Sequence, residues 1–166
     1  VPGFNSGPGI ESEDEMKKLL VFVPAMLMMA AAPSGFNEWS ASELKNQGEA
    51  LKKSVKDGLA SKVLADWGNH QLMVIHREAT GQAEFHAKQI DIIVVRSGQA
   101  SIKIGGRILD GKTTAPNEIR GTSIEGAEIH PLKEGDVLHV PVKTPHQVMV
   151  EAGQSVDYLA IKVDTQ

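Results

Sequence analysis

The residues able to do acid–base or metal chemistry are unevenly placed along this chain. All six histidines fall between His70 and His146, and none precedes residue 70. Two segments carry most of them together with carboxylates. In GQAEFHAKQIDIIVVRSG, Glu84 and His86 are two residues apart, so on a strand both side chains point the same way. Asp91 opens the run IDIIVV and shares a face with Ile93 and Val95. A carboxylate heading an apolar face is costly to bury unless it is paired or bound to metal. In GDVLHVPVKTPHQVMV, His146 shares a face with Val148 and Val150, so its ring stands among apolar neighbours and needs a partner. His76, grouped with Leu72 and Val74, is read as lining the same interior, where it or Glu84 can move a proton. The alternative for His76 is a core imidazole bonded to a backbone carbonyl. His70 and His130 lie at expected loop edges and read as solvated.

The elements that must position these residues are mostly strands. From about Lys62 the apolar period is two, in the runs KVLADW, HQLMVIHRE, IDIIVVRSG, QASIKIGG, GDVLHVPV, HQVMVEAG and VDYLAIKV. Short alternating runs punctuated by Gly and Pro predict an all-β antiparallel sandwich or barrel over 62–166. The Gly105–Gly106 pair reads as a hairpin turn. The stretch Leu109–Pro131, rich in Thr, Gly, Asn and Glu, reads as one long loop. It holds Arg120, which is placed to cover a barrel mouth and meet an anionic substrate.

Ahead of the strands, 35–61 reads as an N-terminal helical segment packed outside the barrel. Ser40 or Ser42 can cap it, and Glu43 stands at capping-box spacing from Ser40. Leu44, Leu51 and Val55 recur at helical spacing, and Gly58 suits the stop. Residues 1–15 read as a tag or upstream linker. Residues 16–34, with Met16-Lys17-Lys18, an apolar run of about 14 residues and then small residues, have the layout of a secretory signal peptide. A periplasmic or secreted location follows, with no stable membrane anchor once the leader is processed.

The two histidine segments resemble the paired motifs of the cupin superfamily. Glu84-x-His86, four residues, Asp91, six residues, Gly98 is similar to the first motif, with Glu84 in place of its first His and Asp91 in place of its Glu. Gly135, five residues, Pro141-x-Lys143, two residues, His146 is similar to the second. There Lys143 replaces a Gly, and Val150 stands at the usual Asn. The resemblance runs from roughly His70 to Val163. It implies a jelly-roll-like β-barrel holding one divalent metal on Glu84, His86, Asp91 and His146. Two imidazoles and two carboxylates suit Fe(II), Mn(II), Zn(II) or Ni(II) and leave coordination positions for water or substrate. Glu84 serves in such a set as a ligand or as a nearby general base. With the shorter Asp91 not reaching, a two-His, one-carboxylate set remains. His139, inside the second motif, is placed near substrate at most. The resemblance also implies a homodimer and a small-molecule ligand or substrate. Its function is an oxygenase or a related lyase or isomerase, or alternatively a non-catalytic ligand-binding barrel.

Composition narrows the field. With no cysteine, there are no disulfides, thiolate zinc sites or cysteine nucleophiles. A net charge of −4, with −4 in residues 1–15, +2 in 16–34 and −2 in 35–166, gives no basic surface for nucleic acid. No nucleophile elbow and no phosphate-binding Gly-rich loop is present.

Overall fold

The computed structural model describes residues 34–166. The expected linker, and all but the last residue of the expected signal peptide, lie outside the described residues. The chain divides into Val1–Asn37 and Glu38–Gln166, and the second unit holds every element below.

Helix α1 (Ala41–Lys52) starts where the capping pattern places it. Glu43 N–H donates to Ser40 Oγ at 3.2 Å, and Ser40 N–H donates back to the Glu43 carboxylate at 2.7 Å. Such a cap contributes about 1 kcal/mol. The helix ends at Lys52, earlier than Gly58; Asp57 and Gly58 instead adopt positive φ and turn the chain into the first strand. Leu51 of the helix is buried with Ala60 and Val74, with Leu44, Val55, Leu64 and Leu159 packed around them.

Twelve strands follow: β1 (Leu59–Asp66), β2 (His70–Arg77), β3 (Ala83–His86), β4 (Gln89–Ile104), β5 (Arg107–Leu109), β6 (Lys112–Ala115), β7 (Glu118–Gly121), β8 (Ser123–Glu125), β9 (Glu128–Lys133), β10 (Val137–Val140), β11 (His146–Met149) and β12 (Val156–Asp164). Their described pairings are all antiparallel. The first half of β4 belongs to a sheet ordered β1-β2-β12-β4-β10, and its second half to a sheet ordered β9-β4-β11-β3-β7-β6. One strand thus serves two sheets, which face each other over a core of Ile75, Ile93, Val95, Ile102, Leu132 and Val148.

Gly98 makes the crossing possible. It sits at φ +79° where β4 passes between sheets, and a Cβ there would run into the Ser155 carbonyl. Gly135, at φ +90°, turns the chain into β10. Lys143 takes φ +59°, a conformation glycine adopts without cost, while its N–H bonds the His86 carbonyl at 2.7 Å. Lys143→Gly is therefore expected to raise the melting temperature, since a left-handed non-Gly residue costs about 1–2 kcal/mol; calorimetry showing no gain would contradict this.

The segment Leu109–Pro131 is not a loop. It is three short strands (β6 to β8) and the start of β9, mostly exposed. Alternation is hidden there because the β6–β7 register shifts between Thr113 and Ala115. The Gly105–Gly106 pair is also no simple hairpin, because β5 pairs with β8 rather than with β4.

Candidate metal centre

Strand register assembles the centre. Glu84 on β3 faces His146 on β11 as its direct partner across one strand pair, and Arg120 on β7 across the other. Asp91 on β4 is the register partner of Lys162 on β12. Because cross-strand partners lie about 4.5–5.5 Å apart on one face, these pairings force the side chains together. The inward phase of β4, Asp91–Ile93–Val95, is buried as alternation predicts.

The expected ligands converge. One donor atom each from Glu84, His86, Asp91 and His146 lies within 4.8 Å of the others. Imidazole and carboxylate donors sit about 2.0–2.2 Å from such an ion, so opposite donors are separated by roughly 4.4 Å, and small side-chain shifts complete the shell. The ring orientations suit this. His146 Nδ1–H donates to the Thr144 carbonyl at 3.0 Å, which aims Nε2 at Asp91, 3.2 Å away. His86 Nε2 lies 3.4 Å from Glu84 and 3.6 Å from Asp91, with Glu118 3.7 Å from its other nitrogen. A backbone carbonyl or carboxylate behind each ring is how metal-binding imidazoles are held.

The electrostatics agree. Burial works to raise the Glu84 pKa, but the His86 hydrogen bond and the Arg120 and Lys162 charges outweigh it and hold the carboxyl at about 2. For Asp91 burial is likewise outweighed, by the His146 bond and the Lys162 ammonium, and it too is held at about 2. Burial would lower the His146 pKa, yet its bonds to Asp91 and Thr144 raise it. Burial pushes the Tyr158 hydroxyl up, so it stays protonated.

The two carboxylates lie below their unfolded values of about 4. Their stabilisation is therefore complete above about pH 4.5 and is lost as pH falls toward about 2. His146 runs the other way: its raised pKa stabilises the fold below about pH 6.5 and ceases to do so as pH rises through the folded value. Denaturant melts of metal-free protein should show stability dropping between about pH 4.5 and 2; a flat profile there would contradict the pairing.

One cation already stands in the cluster. Lys162 Nζ lies 2.9 Å from both Asp91 oxygens and 3.3 Å from His86 Nε2. A second, Arg120, bridges Glu84 at 3.1 Å and Glu118 at 2.9 Å. Arg120 thus reaches the centre, from β7 rather than from a loop.

Two expected residues are not brought to it. His76 faces the opposite side of β2, toward α1, where Nδ1 meets Asp157 at 2.6 Å and Nε2 meets Glu78 at 3.0 Å. Asp157 also accepts from Ser97 Oγ at 2.6 Å. The inward phase of β2 is Met73, Ile75 and Arg77, lining the barrel cavity. The outward phase is equally apolar because α1 covers it, which is why alternation misassigns the face. His76→Ala is expected to cost about 1–3 kcal/mol by stranding Asp157, and to leave metal content unchanged; a loss of metal at intact stability would refute that placement. His139 is exposed on β10, on the face opposite buried Val140.

Lys162, Arg77, Tyr158 and Glu118 belong to the site without having been singled out for it. Tyr158, Ala160 and Lys162 alternate on one face of VDYLAIKV, and that pattern was the available signal for the lysine.

Two facing antiparallel sheets sharing one long strand, with a buried imidazole–carboxylate cluster at its start, define a jelly-roll-like antiparallel β-barrel with a helix outside. Among solved structures the chain is similar to KdgF from a Halomonas species (17% identity, 68% of this chain and 85% of that one, TM-score 0.48). It is also similar to a cupin-2 domain from Rhodospirillum rubrum (12% identity, 64% and 60%, TM-score 0.47). A third is a Streptomyces nucleoside dehydratase (15% identity, 68% and 74%, TM-score 0.48). No protein-family model and no curated protein matches the sequence.

Proposed function

We propose that the barrel binds one divalent metal through His86, His146, Asp91 and Glu84 and acts as a metal-dependent enzyme on a small organic substrate. The observation that carries this reading is the convergence of the four donors within 4.8 Å, at the end of a cavity of about 160 Å³. A bound Fe(II), Mn(II), Zn(II) or Ni(II) would supply Lewis acidity at a substrate oxygen, as lyase and isomerase chemistry needs, and only a redox-active ion such as Fe(II) would also serve an oxygenase. The residues divide the remaining work. His86 and His146 present their Nε2 atoms to the cluster, the His146 ring oriented by its bond to the Thr144 carbonyl. Glu84, with its carboxyl held at about 2, stays ionised at neutral pH, which suits a ligand better than a proton donor. Arg120 keeps Glu84 oriented, and the apolar walls formed by Ile75, Ile93 and Val148 exclude water around it.

The test is metal analysis of untagged protein, followed by melts with added metal. Occupancy near one per chain, and a rise in melting temperature on adding metal, are expected. Less than about a tenth of chains carrying metal, with no thermal shift, would remove the reading. Retained metal with no turnover across small organic substrates would favour the non-catalytic ligand-binding barrel. Pairing of two barrels belongs to the same reading, supported by exposed Ile129 and Val137 on β9 and β10; light scattering tests it. Export is supported by the leader layout, and a mature chain beginning near Gly35 would bear it out.

A further inference from the structure

The barrel cavity contains a charge that the metal reading does not use. Arg77 is 8% exposed, yet among the described residues no carboxylate pairs with it. Its one polar side-chain contact there is a weak bond, Nε donating to Tyr158 Oη at 3.4 Å. Its terminal nitrogens are left without a protein partner and keep some contact with solvent, since among the described residues Gln147 Oε1 is the one wholly buried side-chain atom without a partner. They are therefore free to meet an anion that is not part of the protein. Arg77 lines the same cavity as Glu84, Asp91 and His146, on the inward face of β2.

Charge bookkeeping over the cavity points the same way. Asp91 is matched by Lys162, and Glu84 and Glu118 are bridged by Arg120. Glu84 and Glu118 share that single cation, so Arg77 brings the count to three carboxylates and three cations, and a divalent metal would leave the site with two positive charges in excess. The metal-loaded cavity therefore favours a negatively charged guest, and among the described residues Arg77 is its one cation without a carboxylate partner. Its polar groups favour a planar one, because a guanidinium fork matches the two oxygens of a carboxylate. Tyr158, whose register partner on β2 is Ile75, two residues before Arg77, accepts from Arg77 and keeps its own proton to donate. Between this pair and the metal cluster the walls are apolar, formed by Ile75, Ile93 and Val148. The volume, about 160 Å³, lies below the roughly 300–1,000 Å³ of sites for drug-sized ligands.

We propose that the cavity binds a small organic acid, its carboxylate held by Arg77 and Tyr158 and its reacting end turned toward the Glu84–His86–Asp91–His146 cluster. As a substrate assignment this rests on the metal reading, but the anion site is carried by Arg77 itself. Arg77 is then a binding residue.

The experiment is calorimetric titration of the full chain, loaded with Zn(II) or Mn(II), using pyruvate, malonate and succinate. Acetamide and inorganic phosphate are the controls, and metal per chain is measured in every sample. Wild-type protein should bind at least one of the carboxylates and not acetamide. Arg77→Met should weaken that binding about 10- to 100-fold with metal content unchanged. Tyr158→Phe should give a smaller loss, and Arg77→Lys should keep part of the affinity; these two variants decide the matter if Arg77→Met does not fold. Carboxylates binding no better than acetamide would overturn the proposal. So would undiminished binding to Arg77→Met, or phosphate bound in preference to every carboxylate. Arg77-dependent carboxylate binding by a wild-type protein that holds no metal would keep the anion site and sink the metal reading alone.

Discussion

Replacing His146 with alanine is expected to strip the barrel of metal. His146 is buried, and its Nδ1–H is committed to the Thr144 carbonyl. Its Nε2 is left 3.2 Å from Asp91. Groups that merely orient a ligand are worth about 10–100-fold in metal affinity, so losing a ligand should exceed that. The fold should survive, since the neighbouring core of Val148 and Val150 stays filled. The comparison is metal per chain by mass spectrometry after dialysis, with circular dichroism as a control. Unchanged occupancy in His146→Ala would mean the metal sits elsewhere.

The second large effect concerns Lys162. Its ammonium lies 2.9 Å from both Asp91 oxygens and occupies part of the space in which a metal would meet that carboxylate. Two cations cannot share the site at those distances, so metal entry must displace the lysine. Lys162 also lines the larger cleft beyond the cluster, bordered by Gln71, Glu118 and Asp164, and its flexible stem can turn there. Lys162→Met is expected to do two opposite things. The metal-free protein should lose about 3–5 kcal/mol, the usual cost of leaving one member of a buried ion pair behind. Metal should then bind more tightly than in wild type, restoring stability through linkage. Denaturant melts with and without Zn(II) separate the two effects. A variant whose metal-free form is as stable as wild type, or which binds metal more weakly, would contradict this role.

The sequence was most informative where chemistry and spacing coincide. Asp91 and His146 were legible because alternation sets them among apolar neighbours, and Glu84 and His86, which alternation only puts on one common face, because motif spacing joins them to that pair; the four donors do converge. The helix cap at Ser40 was legible because it is local. What escaped notice depended on long-range partners. The face of β2 could not be fixed from alternation once α1 covered its outer side, so His76 was read inward in place of Arg77. Lys162 sits at the end of an inward-facing row, but a lysine near a strand end reads as solvated until β4 supplies Asp91 opposite it. Glu118 lies on a four-residue strand within an exposed segment whose register shift removes the period-two signal.

The centre itself is tested most directly by anomalous scattering from a crystal grown with Zn(II). A single peak is expected about 2.0–2.2 Å from His86 Nε2, His146 Nε2 and at least one oxygen of Asp91 or Glu84, with Lys162 Nζ turned away toward the cleft. A cluster with no peak, and the Lys162 ammonium still bridging both oxygens of Asp91, would contradict it.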